Sequence, residues 1–528
     1  MKKIKLTANI LFSGIGCQER GIEDSDLFDL KVLNTSEINK EAVVSYAAIH
    51  CGLTNEMVEN YDKYPSREEM AQHLSDINLG FNPDKKDESK RKFDWFKLVK
   101  KKNKELEKYW LACKLTNNLG DISNIKELPY ADFWTCSFPC QSISVAGKMK
   151  GLDPDSGTRS SLLWENVRLL KISKDNNTLP KYVMFENVKN LVSKKFIDSF
   201  NDLIDILNEL GFNTYWKVIN AKDCGIPQNR ERVFAISIRK DIDNKKIDFP
   251  KPFDLGIRLK DILEDEVDEK YYLSEQASKK LKVFDKIKGS DIKVAASLNP
   301  DKNVQDRVRV LSTDGISQGL RATDYKDPVK IMIGIDKSNN DTKIVEYANC
   351  ITSREDRGVL NRKSECTAVL EISENKEERL FNIYGENKGT GYAGNVWNKE
   401  KISPALTTMQ GGNRQPMIID DLYKNRPERV YDKNSPTLRV NCGNLKVCEE
   451  NCKIRKLTPR ECFKLMGLTF DDCDKAANLG ISNTHLYKQA GNGIVTNCVE
   501  LLAEHLYKAQ YDETYVCTDE NFQNPEME

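Results

Sequence analysis

A doubly wound α/β sheet with a second, mostly β region is the fold this sequence predicts. Three observations lead there. Strand-like and helix-like patterns alternate over residues 4–238, which implies parallel strands joined by crossover helices. A glycine turn, Ser13-Gly14-Ile15-Gly16, stands between the first strand and the first helix, where a ligand can approach the backbone at a helix N-terminus. Beyond about Pro250 the alternation stops, and short β-like runs broken by Gly, Asn and Asp take over.

Taken in order, residues 4–12 read as the first strand, and a helix starts near Cys17. Residues 30–33 form a second strand, followed by a helix through Ala48. Residues 132–135, 182–186, 214–219 and 232–238 supply the remaining strands, with helical patterns at 161–170 and 197–210 between them. A polar, lysine-rich insertion, 52–117, interrupts the series and carries Phe93, Trp95, Phe96, Tyr109 and Trp110. It reads either as a basic, aromatic-bearing arm for DNA or as a solvated amphipathic helix. The spacing of Phe93, Phe96, Leu106, Tyr109 and Cys113 gives the second reading more weight.

The organisation expected is a catalytic domain over 1–250, a recognition domain over 251–454 and a C-terminal part over 455–528 whose helices return to the first sheet. Within 251–454 a weak repeat appears at 316–323, 402–409 and 434–439, with a degenerate copy at 350–353. These turn-and-strand units either present Arg, Thr and Asn to DNA or pack on themselves.

The chain has 528 residues, with 81 Lys+Arg balancing 81 Asp+Glu. Zero net charge excludes a polycationic coat protein or an acidic tail, but not a local basic face. The 15 cysteines lack the dense spacing of a disulfide framework, which fits a reducing, cytoplasmic setting. No apolar run reaches the roughly 18 residues of a membrane span.

Four constellations carry chemistry. Glu37 follows the glycine turn at roughly the 20-residue spacing at which an acid accepts ribose hydroxyls. Asp121-Ile122 offers a carboxylate to an adenine amino group and an apolar side chain to its ring. Ser137-Phe138-Pro139-Cys140-Gln141-Ser142 puts a thiol on a constrained loop at the carboxyl edge of the sheet. Such a thiol is only a few per cent ionised at neutral pH, so a nucleophile there needs a cationic neighbour or a helix end. Phe185-Glu186-Asn187-Val188 places an acid at a strand end, held by a neighbouring amide. Gln228-Asn229-Arg230-Glu231-Arg232 puts two guanidinium groups on one face of a strand. Each alone has a bland alternative: a plain turn, a buried cysteine, a surface ion pair.

Together, and in this order, they resemble the DNA cytosine-5 methyltransferase family. The hallmarks are Phe12 to Gly16, Pro139-Cys140-Gln141, Glu186-Asn187-Val188, Gln228-x-Arg230-x-Arg232, Arg455-Lys456-Leu457-Thr458-Pro459-Arg460-Glu461 and Gln489-Ala490-Gly491-Asn492-Gly493. The resemblance implies a Rossmann-like, S-adenosylmethionine-dependent methyltransferase sheet with a target-recognition domain, acting on double-stranded DNA as a monomer. It implies that Cys140 attacks cytosine C6, Glu186 protonates N3, Arg232 holds O2 and Arg230 supports the site. Phe12, Gly14, Gly16, Glu37, Asp121, Ile122, Pro139 and Asn492 would hold the cofactor. Gln141, Ser142, Arg321, Thr407, Arg414 and Arg439 are the expected DNA contacts. No metal is expected, since the 4 histidines form no zinc set.

Without an extension before Ile4, the pattern resembles a bacterial or phage modification enzyme, with a cognate restriction endonuclease as a possible partner. A transfer-RNA cytosine-5 methyltransferase and a non-catalytic DNA-binding relative are the alternatives. Cys17 stands where the family often has glycine, and Gly493 where it has Ser or Ala. Ile10 also replaces a common acid, and Cys136 and Ser137 replace glycines.

Overall fold

The computed structural model describes residues 3–83, 87–139, 162–244, 246–272, 282–288, 291–297, 309–322, 329–334, 379–382, 395–397, 417–418 and 452–518. Two compact units emerge. One comprises Met1–Ile262, Ile316–Pro328 and Thr458–Glu528; the other comprises Leu263–Gly315 and Val329–Leu457. The division departs from continuous domains bounded at 250 and 454, because 316–328 belongs to the first unit.

The first unit is built on strands β1 (Ile4–Leu11), β2 (Phe28–Ser36), β3 (Phe133–Cys136), β4 (Tyr182–Val188), β5 (Phe212–Asn220), β6 (Gln228–Asn229) and β7 (Glu231–Arg239). Six of them form one sheet in the order β2-β1-β3-β4-β7-β5. The first four are parallel, as the alternation predicts. β7, however, is antiparallel to both β4 and β5, a correction to the all-parallel expectation. The cause is the connection. Between Asn220 and Glu231 lie only a 3-10 turn, Ala221–Asp223, and the short β6, whereas a parallel return needs a dozen or more residues.

Successive strand residues serve opposite faces. Trp134, Cys136, Val183, Phe185, Val233 and Ala235 join a core with Leu163, Val167, Phe200 and Leu203, from helices Leu163–Asp175 and Ile197–Leu210. Phe133, Met184 and Ile236 face the other way, around a small apolar cavity shared with Ile22, Val499, Leu502 and Leu506. Those belong to helices Cys17–Asp24 and Thr496–Tyr511. Gly21 permits their close approach: a Cβ there would stand 2.5 Å from that of Val499.

Among the described residues, the 52–117 region folds into short helices, with no continuous amphipathic one. Asn55–Asn60, Arg67–Asp76, Phe96–Val99 and Glu105–Leu115 are separated by turns. Its aromatics are mostly internal. Trp95, Leu106, Tyr109 and Cys113 are buried, while Phe96 is exposed. Trp95 meets Phe93 at 4.5 Å and Tyr109 at 5.2 Å, and Lys40 Nζ sits over Phe93 and Tyr109. Their faces are therefore taken by one another and by Lys40, which argues against a stacking arm.

Among its described residues the second unit is mostly β, as its turn-rich sequence predicts. Lys282–Lys288, Val294–Ser297, Arg309–Ser312, Lys330–Gly334 and Cys452–Lys456 form a five-stranded sheet. A three-stranded sheet joins Arg379–Asn382, Asn395–Trp397 and Met417–Ile418. Arg455, expected at the start of the returning helices, lies instead in a strand. Helix begins at Pro459, behind a capping box between Thr458 and Glu461. Of the repeat, the 316–323 copy pairs Ser317 and Gln318 in parallel with β6. The copies at 350–353, 402–409 and 434–439 lie outside the described residues.

Candidate active site

The glycine turn is strained where the sequence places it. Phe12, Gly14 and Gly16 all have positive φ, at 55°, 55° and 85°. For Phe12 this costs about 1–2 kcal/mol, a price met by the surrounding sheet. The two glycines differ in purpose. A Cβ on Gly14 would meet nothing within 4 Å, whereas one on Gly16 would overlap the His50 ring. Gly14 thus leaves open space in front of the turn, and Gly16 admits packing behind it.

Glu37 stands beside the turn. Its carboxylate accepts N–H bonds from Gly14 at 3.0 Å and Asn39 at 2.7 Å. Burial raises its pKa, and those backbone amides oppose the rise. Asn118 holds Glu37 from both sides of its peptide, accepting from Glu37 N at 2.9 Å and donating to Glu37 O at 2.9 Å. Sequence reasoning missed Asn118, although the neighbouring Leu119-Gly120-Asp121 signals a turn. Asp121 receives Asn78 Nδ2 at 2.7 Å and caps the 3-10 turn Ile122–Asn124 through Ser123 N. Ile122 is 2% exposed and packs into the core. An open turn beside an acid at the sheet edge fits an adenosyl cofactor.

At the second end, the tips of β3, β4 and β7 converge. Glu186 is 9% exposed, and its Oε1 lies 3.2 Å from Arg232 Nε. Burial raises the Glu186 pKa, and Arg232 and then Arg230 oppose the rise. Asn187 does not hold Glu186, contrary to the expectation. It donates to Phe138 O at 2.9 Å and accepts from Val188 N at 2.9 Å, because adjacent strand residues face opposite ways. Asn187 therefore grips the chain next to Pro139. Cys140, Gln141, Ser142, Thr407, Arg414 and Arg439 lie outside the described residues.

Arg230, which with Arg232 acts on Glu186, directs its guanidinium at backbone carbonyls. It is 4% exposed and donates to Leu320 O at 2.6 Å, Gly491 O at 3.1 Å and Gly493 O at 2.7 Å. Gln228, fully buried, does the same work beside it, accepting from Leu320 N at 2.9 Å and donating to Leu465 O at 2.6 Å. The structure brings Arg321 to this junction by its backbone: a Cβ on Gly491 would overlap the Arg321 carbonyl carbon. Asn492 ends the helix Asn483–Asn492 with its side chain exposed.

A family model described as C-5 cytosine-specific DNA methylase matches residues 76–508. The chain belongs to that family. Among curated relatives of this C-5 cytosine-specific methylase, the type II methyltransferase M2.ScrFI of Lactococcus lactis subsp. cremoris is 31% identical over 501 residues, spanning 94% of this chain and 98% of the relative. The orphan methyltransferase M.SssI of Spiroplasma monobiae is 33% identical over 347 residues, spanning 64% and 86%. The orphan methyltransferase M.SPRI of Bacillus phage SPR is 29% identical, spanning 76% and 90%. The protein is thus a DNA cytosine-5 methyltransferase, and its family implies S-adenosylmethionine as methyl donor. Among the described residues no helix is long and apolar enough to cross a membrane.

Proposed function

We propose that this methyltransferase modifies one cytosine within a specific duplex sequence, through a covalent bond between Cys140 and C6 of a flipped-out base. The observation that carries the reading is the buried Glu186–Arg232 pair, 3.2 Å apart. It stands at a strand end whose next residue, Asn187, grips Phe138, two positions before Cys140.

Cytosine C5 is a poor nucleophile. Addition of the Cys140 thiolate to C6 turns C5 into an enamine-like carbon. Glu186, whose raised pKa keeps it a proton donor closer to neutrality, delivers a proton to N3 so that charge does not build up on the ring. Arg232 holds O2 while pairing with Glu186. S-adenosylmethionine, when bound, supplies an electrophilic methyl group. Loss of the C5 proton and expulsion of Cys140 restore the ring. Arg230 acts from behind, fixing the Leu320, Gly491 and Gly493 carbonyls. The base must leave the duplex to be reached, at a few kcal/mol offset by DNA contacts.

Phe12, Gly14, Gly16, Glu37, Asp121, Ile122, Pro139 and Asn492 are assigned to the cofactor. Glu37 is assigned to the ribose hydroxyls, beside the backbone amides of Gly14, Ile38 and Asn39 that its carboxylate already faces. Gln141, Ser142, Arg321, Thr407, Arg414 and Arg439 are assigned to DNA. We assign the enzyme to a modification system, with a cognate endonuclease as its counterpart, and to the cytoplasm as a monomer.

Bisulfite sequencing of a plasmid from cells expressing the protein tests this. One sequence context should be protected, and Cys140→Ser should abolish the protection. Methylation that survives Cys140→Ser, or a methyl group on an exocyclic nitrogen, overturns the mechanism.

A further inference from the structure

Behind the cofactor turn lies a buried polar cluster to which the reaction assigns no part. His50, at the end of the helix Lys40–His50, points its Nε2 at Ile15 O, 3.1 Å away. A carbonyl only accepts, so Nε2 carries the proton. In a neutral ring Nδ1 is then a bare lone pair, and it faces Glu19 Oε2 at 3.6 Å. Tyr46 donates its hydroxyl to that same Glu19 oxygen, and its ring lies 4.8 Å from the imidazole. The side chains of His50 and Glu19 are 4% and 12% exposed.

We propose that His50 is a positioning residue for the cofactor: it clamps the Ile15 carbonyl and fills the volume that Gly16 leaves, so that the turn is set before the cofactor arrives. The inference rests on the reading that the Phe12 to Gly16 turn receives S-adenosylmethionine. Two features of the turn call for such a clamp. Phe12 is held at positive φ, a conformation that surrounding structure must impose on a residue other than glycine. A Cβ on Gly14 would also meet nothing within 4 Å, so support comes from behind.

The environment keeps the clamp in one protonation state. Burial pulls the His50 pKa down to about 4, with the Ile15 carbonyl opposing. Burial likewise pushes Glu19 up to about 7, with the Tyr46 hydroxyl opposing. Of the other charged groups acting on His50, Asp472 opposes Arg20 and Lys475. Arg20 comes from the helix Cys17–Asp24, and Asp472 and Lys475 from Phe470–Asn478. Arg20 Nη1 and Asp472 Oδ2 are paired at 3.2 Å. Glu23 adds a further carboxylate beside Glu19. Between the two values both groups are neutral, and Nε2–H remains aimed at Ile15.

The test is calorimetric titration of the full-length protein with S-adenosylhomocysteine, beside steady-state methyl transfer. His50→Leu removes the donor; His50→Gln keeps an N–H within reach. The Leu variant should bind about tenfold more weakly and raise KM for S-adenosylmethionine by a similar factor, with kcat at saturation within about twofold. The Gln variant should recover most of the loss. Wild-type affinity in the Leu variant, or equal losses in both variants, overturns the clamp. If His50→Leu does not fold, Tyr46→Phe decides, since it keeps the ring and frees Glu19: weaker binding supports the clamp, unchanged binding overturns it. Failure of the unmodified protein to bind S-adenosylhomocysteine would instead sink the cofactor assignment itself.

Discussion

Cys17 Sγ occupies the space beside Gly493: a Cβ at 493 would stand 3.1 Å from that sulfur. Two of the positions at which the sequence departs from the family pattern, a cysteine in place of glycine and a glycine in place of Ser or Ala, thus answer one another. Gly493→Ala alone should destabilise the protein by about 1–3 kcal/mol through overpacking. Cys17→Ala in the same chain should return part of that. A double-mutant cycle by urea unfolding checks it, and strict additivity of the two changes rules the compensation out.

Gly14 and Gly16 should respond differently to alanine. Gly14→Ala meets only the cost of positive φ, about 1–2 kcal/mol, so the protein should fold but bind S-adenosylhomocysteine poorly. Gly16→Ala must also displace His50, and its thermal midpoint should fall further. Equal midpoints for the two variants contradict this division of labour.

Arg230→Ala leaves the Leu320, Gly491 and Gly493 carbonyls without their donor. The expected loss is on the order of 3 kcal/mol or more, with methyl transfer lost as well. Lysine keeps the charge but not the planar fork, so Arg230→Lys should recover only part of either. Urea midpoints and labelled-methyl incorporation measure both. A fully stable but inactive Arg230→Ala enzyme would show that the residue works on substrate rather than on the frame.

Glu186→Gln keeps the shape of the side chain and removes its proton. Methyl transfer should drop by about 10²–10⁴. In the unmodified enzyme the proton donor is lost as pH rises through a pKa raised by burial. The alkaline limb of the rate profile should therefore lie above the ordinary carboxyl range and vanish in Glu186→Gln. A limb that persists unchanged belongs to another group.

Glu19 gives a stability signature. Its pKa rises from 4.5 to about 7 on folding. The folded state therefore keeps a proton that the unfolded chain releases. This favours folding below about pH 4.5, and the advantage is lost as pH climbs through 7. Glu19→Gln has no such slope, so its stability relative to wild type should rise by on the order of 3 kcal/mol between those limits. Chemical denaturation at pH 4.5 and 7.5 measures the difference, and a constant gap between the two proteins contradicts it.

Legibility in the sequence followed the range of the interaction. The glycine turn, Glu37 and the Glu186 to Val188 strand end could be read because chemistry and spacing sit within a few residues. The partners of Arg230 lie at 320, 491 and 493, so nothing local distinguishes its buried fork from Arg232, which pairs with Glu186. His50 was silent for the same reason, since its role depends on Ile15 and Glu19 from other elements. The reversal of β7 was in principle visible, because the stretch from Ala221 to Arg230 is too short for a crossover. The aromatics of 52–117 misled as candidate stackers, since only folding brings Lys40 to cover them.

The strip Ile316–Pro328 interrupts the second unit in sequence yet belongs to the first, through Ser317 paired with Gln228 and Leu320 tied to both Gln228 and Arg230. If the region 251–454 reads the target, as the sequence leads one to expect, specificity is consequently not a removable cassette. A chimera that transplants everything between Leu263 and Leu457 from a relative imports a foreign keystone along with the new reading head. Engineers of altered targets would do better to graft two inserts around that strip and leave its backbone native.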